Sequence, residues 1–385
     1  MKKFWLAGLL SLLLLVTVFP LGVASAFPGD EYDERCNDLV DQSLELIAQG
    51  QQVEQPDCLV NTNLSAMEVR AAQAEIARQP ALTNVAQVPP NPEIVEARTF
   101  RRLNGHVEIY DTPGGNVIGA VEAGYNYVSI VSQIEGWTQI RPNQWVRTEV
   151  ITDADVSNFA GVEINGPLDR PFAWVLAPAH PSSYPGGPEN EAYPKLERYS
   201  IVSIYGIEIV DGWEWYMVGP NQWFQQIRVA KVKPVERPAE VAATDRWIAV
   251  DLFEQTATAY EGDQMRFATL ISSGLPQWST NEGLFNIRSR WLYGPMTGAS
   301  GQPDFYYIEN IPHIMYFDND IALHAAYWHD RFGYRQSHGC VNLSLMDAWW
   351  IYEFTREPQY NEAWVYVHSS DSYRADLPGW AIRPR

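Results

Sequence analysis

Apolar positions are distributed in three ways along this 385-residue chain. Phe4 to Val23 is an apolar run behind Lys2 and Lys3. From about Glu31 to Gln79 the apolar residues are sparser: Leu39, Leu44, Leu46 and Ile47, then Met67, Val69, Ala71, Ala72, Ala74 and Ile76. That spacing is compatible with a 3.6-residue period and predicts a helical segment over 27–86. Gln87-Val88-Pro89-Pro90-Asn91-Pro92 predicts a linker, because each proline removes a backbone donor and fixes φ. Beyond it, short alternating stretches broken by Gly, Asn and Pro predict strands, so the chain reads as mainly β.

Two of these β regions repeat each other. The first carries Tyr127-Val128-Ser129-Ile130-Val131, Glu135-Gly136-Trp137 and Pro142-Asn143-Gln144-Trp145-Val146. The second carries Ser200-Ile201-Val202-Ser203-Ile204, Asp211-Gly212-Trp213 and Pro220-Asn221-Gln222-Trp223-Phe224. An acidic-Gly-Trp step followed by Pro-Asn-Gln-Trp, twice in the same order, predicts two small β-barrels at 94–153 and 165–235. The pattern resembles bacterial SH3-like domains, which occur on cell-wall enzymes. For Trp137 and Trp213, core packing is the favoured role over direct ligand binding.

After Lys233-Pro234-Val235-Glu236-Arg237-Pro238, a second linker, the strands resume at Trp247–Leu252, Thr256–Tyr260 and Arg266–Ile271. Ser344 with Asp347 three residues later predicts a helix start ahead of Ala348-Trp349-Trp350-Ile351.

Charge and cysteine usage then narrow the class. The formal charge is −20, and −22 without Lys2 and Lys3, which argues against a general nucleic-acid binder, since that needs a basic stripe. The charged start, apolar core and Ala24-Ser25-Ala26 exit read as a signal peptide, 1–26, cleaved near Ala26–Phe27. The competing reading is an uncleaved anchor, because the run approaches the ~20 residues that span a bilayer. Export to a periplasm or cell wall is therefore expected, with a membrane tether if the signal stays. There Cys36 and Cys58 can pair, leaving Cys340 as an odd, reactive thiol.

Cys340 lies in Gln336-Ser337-His338-Gly339-Cys340-Val341-Asn342, with His324 upstream in Ile321-Ala322-Leu323-His324-Ala325. Thiol catalysis needs a thiolate, a base to generate it, and a group that orients the base, and this segment supplies all three. Gly339 leaves the backbone free to bend and its amide free to approach a substrate.

These residues resemble the catalytic domain of the L,D-transpeptidases, the YkuD-type domain, over about 245–370. The landmarks are Ile248 to Tyr260, Ser272-Ser273-Gly274, Gly283-Leu284-Phe285, Met296-Thr297-Gly298, Ile314-Met315-Tyr316-Phe317 and the Ser-His-Gly-Cys-hydrophobic-Asn string with His324 before it. Thr280-Asn281-Glu282-Gly283 departs from the family, which usually has Pro after Thr. The resemblance implies a β-sandwich that acts on peptidoglycan stem peptides. Cys340 would attack the carbonyl before the terminal D-Ala of a tetrapeptide, release D-Ala through a thioester, and pass the acyl group to an amine, cross-linking the wall. In that scheme His324 is the base, and the Ala325 carbonyl holds one of its ring N–H groups. His338 orients the site or helps bind the oxyanion, for which the Gly339 and Cys340 amides are the donors. Carbapenems are expected inhibitors, and no cofactor is implied.

On the substrate side the candidates are Ser337, Tyr316, Arg331, Arg335, Trp328 and Asn342, the arginines as bidentate partners of stem carboxylates. Trp291, Tyr293 and Tyr327 join Trp328 as possible walls. Wall glycan or peptide is the expected partner of the SH3-like repeats. Water in place of the amine would make an L,D-carboxypeptidase or a wall amidase, and a vestigial catalytic domain would leave a wall-binding protein. A metal site from His324, His329, His338 and Cys340 is disfavoured by irregular spacing and the lack of a paired-cysteine knuckle.

Overall fold

The structure, a computed structural model, describes residues 82–356 and 363–371. The N-terminal apolar run, the Cys36–Cys58 pair and the helical period up to residue 81 lie outside the described residues. Where the expected helical segment enters the described chain it is a strand instead. Val85–Gln87 pairs antiparallel with Val162–Ile164, which pairs with Gln264–Leu270. The linker expected next is packed down as well. Val88 is buried and its amide donates to Gly161 at 3.1 Å, and a short helix, Pro92–Val95, starts where Asn91 caps the Glu93 amide. Prolines at these positions cost no strand pairing, since each starts or precedes an element.

Two seven-stranded sheets organise the molecule. The first runs Val85–Gln87, Val162–Ile164, Gln264–Leu270, Thr256–Glu261, Arg246–Asp251, Trp364–His368 and Gly283–Asn286. Arg246–Asp251 is buried along nearly its whole length and pairs parallel with Trp364–His368, which explains its near-continuous apolar run. The second runs Val341–Leu343, Ile321–Ala325, Tyr306–Asp318, Tyr125–Ile130, Thr99–Leu103 and Ile151–Asp153, with Ser289–Gly298 also paired to Tyr306–Asp318. Ile248, Val250 and Phe267 from the first sheet share one core with Phe317 and Leu323 from the second. The helix Leu345–Arg356 adds Leu345, Met346, Ala348 and Ile351 to that core. Its start is as read: Ser344 accepts the Asp347 amide at 3.1 Å. The Asp347 carboxylate receives Thr269 Oγ1 at 2.6 Å and the Gly161 amide at 2.7 Å.

The repeats share a local unit: the hairpins Trp137–Arg141/Gln144–Arg147 and Trp213–Gly219/Gln222–Gln225, each followed by a 3-10 turn. The Pro-Asn-Gln-Trp landmark forms their turns, with Asn143 at φ +59° and Asn221 at φ +52°, a region that asparagine tolerates. The repeats are not insulated from the rest. Tyr125–Ile130 of the first pairs parallel with Tyr306–Asp318 of the catalytic region, and Val162–Ile164 between the repeats extends the first sheet.

Candidate active site

His324 and Cys340 meet through strand pairing. Ile321–Ala325 and Val341–Leu343 are parallel neighbours, with Leu323 opposite Val341 and His324 opposite Asn342. One residue back, Cys340 stands beside Ala322, and the Ala322 amide is hydrogen-bonded to its sulfur. Side chains two apart on a strand share a face, and so do opposite residues of neighbouring strands. The thiol and the imidazole therefore rise from one face, a diagonal step apart. The half-buried Cys340 also places its sulfur 3.7 Å from the Asp320 carbonyl.

The electrostatics of the pair follow from burial. His324 is 2% exposed, and its Nδ1 lies 3.0 Å from the Ala325 carbonyl. A carbonyl can only accept, so the proton is on Nδ1 and Nε2 keeps its lone pair. Burial lowers the imidazole to about 4, with the Ala325 carbonyl opposing. Burial raises the thiol to about 11, against the Ala322 amide and with the Asp320 charge. At neutral pH the pair rests as thiol and neutral imidazole. In a dry site the charged forms lose their hydration.

The Ser-His-Gly-Cys turn is built by its own hydrogen bonds. Ser337 Oγ donates to the Cys340 carbonyl and accepts the Gly339 amide at 3.1 Å, which closes the turn. That bond also occupies the Gly339 N–H expected as an oxyanion donor. Gly339 sits at φ +118°, where a side chain is strained although the nearest atom to an added Cβ would be 3.7 Å away. Thr280, named above only as the start of a departure, ties the turn down. Its Oγ1 accepts the Gly274 amide at 3.0 Å and donates to the Gly339 carbonyl at 2.7 Å.

His338 points outward. Its ring lies 3.9 Å from that of Trp278 and 5.2 Å from that of Tyr306, with Nε2 3.7 Å from Asp304. Tyr316 and Tyr306 are half-buried, and burial together with the Cys340 charge raises both phenols, which puts their hydroxyls in the field of the sulfur. Trp278 and Tyr306 carried no sequence signal beyond being aromatic, because they reach His338 only through the fold.

Two substrate-side candidates are buried. Trp328 is buried with its ring 5.8 Å from His324, backing the base instead of lining an open wall. Asn342 is 2% exposed and its carboxamide lies 2.9 Å from His329 Nε2. His329 Nδ1 accepts the Arg331 amide at 3.2 Å, and its Nε2 faces the Asn342 Nδ2. His329, without a role in the sequence reading, thus braces the strand that follows Cys340. Arg331 is exposed and Arg335 half-buried on the loop before the motif. Among the described residues no three His, Cys, Asp or Glu side chains converge to hold a metal ion.

The family model of the YkuD L,D-transpeptidase catalytic domain matches residues 245–367. The match takes in Cys340, His324 and the whole turn between them. YciB of Bacillus subtilis (strain 168), named as a candidate L,D-transpeptidase, is 31% identical over 120 residues, 28% of this chain and 59% of YciB. The chain thus spans about three fifths of that relative's length. Among solved structures, an L,D-transpeptidase from Mycobacterium smegmatis is 15% identical, with 56% of this chain and 93% of that one covered and a TM-score of 0.30. A mutant Enterococcus faecium L,D-transpeptidase is 23% identical, with coverages of 32% and 50% and a TM-score of 0.29.

Proposed function

We propose that this protein is a peptidoglycan L,D-transpeptidase that uses Cys340 as nucleophile and His324 as base. The observation that carries the reading is the shared face of the two side chains, with the His324 tautomer held by Ala325. When a stem tetrapeptide covers the site, the Cys340 proton passes to His324 Nε2 as sulfur attacks the carbonyl before the terminal D-Ala. The carbonyl oxygen takes the negative charge. The Cys340 amide and the Tyr306 and Tyr316 hydroxyls are the donors near it, and one such donor is worth about 3–4 kcal/mol in comparable enzymes. Collapse breaks the C–N bond, D-Ala leaves with the proton from His324, and a thioester remains. An amine of a second stem then attacks, gives its proton to His324, and restores the thiol. A neutral base facing a neutral thiol suits this order, because no ion pair has to form before the substrate excludes water.

His338, its ring against that of Trp278, orients the entering peptide, and Arg331 and Arg335, on the loop before the motif, receive stem carboxylates. The repeats hold wall glycan or peptide. A cavity of about 330 Å³ in the second, lined by Trp215, Trp223, His180, Glu189 and Arg228, supports that role. The protein acts outside the cytoplasm, as the reading of residues 1–26 proposes.

Intact-mass spectrometry after exposure to a carbapenem tests the reading. A mass gain on wild type and none on Cys340→Ala is expected, followed by cross-linked muropeptides when two stems are supplied. Tripeptide product alone would make water the acceptor and the enzyme a carboxypeptidase. No adduct, with Cys340 still alkylated by iodoacetamide, would overturn the acyl-transfer reading in favour of a wall-binding protein.

A further inference from the structure

Parallel strands need a crossover of a dozen or more residues, usually helical, to bring the chain back. Between Ala325 and Val341 that crossover contains no helix, only bends, turns and an isolated bridge. Long connections without secondary structure are uncommon inside compact domains and depend on outside contacts for their shape. This one sets the distance between base and nucleophile, since it joins their two strands.

Side chains from outside the catalytic region hold it. The Asp330 carboxylate receives Ser157 Oγ and, at 2.8 Å, the Tyr199 hydroxyl on Oδ1, while Arg198 Nη1 reaches Oδ2 at 3.3 Å. Arg198 Nε and Nη2 are buried with no partner, and the guanidinium lies 4.3 Å from the Tyr199 ring centre, so Asp330 is its counter-ion. Tyr199 adopts φ +68°, a conformation a tyrosine keeps only where surrounding contacts impose it. Nearby, Tyr334 donates to the Leu176 carbonyl at 3.2 Å, and a Cβ on Gly333 would meet Leu176 at 2.3 Å. On the other side Tyr125 of the first repeat donates to the Trp328 carbonyl at 3.2 Å.

We infer that Asp330 is a positioning residue: gripped by Ser157, Arg198 and Tyr199, it fixes the crossover so that Trp328 backs His324 and His329 braces the strand of Cys340. The residues on either side of it make the connection. Trp328 touches the base, and His329 reaches Asn342. The second repeat is on this inference part of the catalytic framework. It deepens the acyl-transfer reading and rests on it for its kinetic readout.

The test uses the full chain with Asp330→Ala, Asp330→Asn, Tyr199→Phe and the Asp330→Ala/Tyr199→Phe double variant. Three quantities are read: the rate constant of Cys340 acylation at saturating carbapenem, the half-saturating concentration, and the pH profile of iodoacetamide alkylation. Misplacement of a reacting group by an ångström can cost about a hundredfold, so Asp330→Ala is expected to slow acylation by about ten- to a hundredfold. The half-saturating concentration should change little, and the alkylation profile should move. Asp330→Asn, which keeps an acceptor for Ser157 and Tyr199, should recover most of the rate. The double variant should be no slower than Asp330→Ala, since one contact is removed twice. Acylation and alkylation profiles like wild type in variants that merely melt earlier would overturn the inference. If Asp330→Ala does not fold, Tyr199→Phe decides in the same way. If wild type itself forms no carbapenem adduct, the acyl-transfer reading fails separately, and an unchanged alkylation profile in the variants would still overturn this one.

Discussion

Lowering the pH from 7 to 4.5 probes three buried histidines, His324 and His329 at the site and His313 on the strand Tyr306–Asp318. Burial is the first cause for each of the three: His324 and His313 are pushed down to about 4, and His329 to about 3. The folded values are depressed below the ordinary ~6.5, so the unfolded chain binds protons that the native chain refuses. Their stabilising contribution is complete above pH 6.5 and is lost as the pH falls towards 4. Asp347 works in the opposite sense, because burial raises it to about 6 and the native form takes up a proton there first. Its contribution is present in acid and lost as the pH rises through 6. His368, lowered by burial, and Glu309, raised by it, oppose each other in the same way. Near pH 5 the three histidines less Asp347 leave about two protons bound on unfolding, a slope of ~2.7 kcal/mol per pH unit. From pH 5.5 to 4.5 that is a large part of the ~5–15 kcal/mol that holds a domain together. Urea midpoints followed by tryptophan fluorescence at pH 7, 5.5 and 4.5 should fall in both steps, by comparable amounts. Acylation of Cys340 should hold through pH 5.5, where an ordinary histidine would be only about one-tenth neutral. Midpoints that stay level, or a rate that drops about tenfold by pH 5.5 in a folded protein, would refute the buried neutral base.

Two substitutions examine the turn that carries the nucleophile. Thr280→Val removes a buried hydroxyl that serves both the Gly274 amide and the Gly339 carbonyl. Each orphaned group costs about 1–3 kcal/mol, so a loss of about 2–5 kcal/mol in urea unfolding is expected, with Thr280→Ser near wild type. A valine variant within about 0.5 kcal/mol of wild type would count against that role. Gly339→Ala has room for its methyl group but not the backbone freedom at φ +118°. It should lose about 1–3 kcal/mol of stability and acylate more slowly in a mass-spectrometric time course, because the strained turn shifts the Cys340 amide and sulfur together.

The meeting of Cys340, His324 and the Ala325 carbonyl was legible in the chain because strand periodicity and a short contiguous motif bring them together. His324 and Asn342 pair in register, and Ser337, Gly339 and Cys340 bond within a single turn. The repeats were legible from their landmarks, since Gly136, Asn143, Gly212 and Asn221 take the positive φ that their residue types favour. The surroundings of Trp328 and Asn342 were not legible, because an aromatic ring or an amide looks the same in a sequence whether it faces solvent or a buried histidine. Periodicity also missed the strand at Val85–Gln87, whose partner lies far along the chain at Val162–Ile164.

Local order alone, then, determined the chemistry: a thiol, a base two strand positions from its neighbour, and a glycine that lets the turn form. Only the tertiary structure decided the state of that chemistry. The burial that keeps Cys340 and His324 neutral comes from the closing of the two sheets on one core. The same holds for the crossover, where Ser157 and Asp330 are 173 residues apart and Tyr125 and Trp328 are 203 apart. Hydrogen bonds at such separations follow no period and carry no local propensity, so they exist only once the sheets have closed on one core.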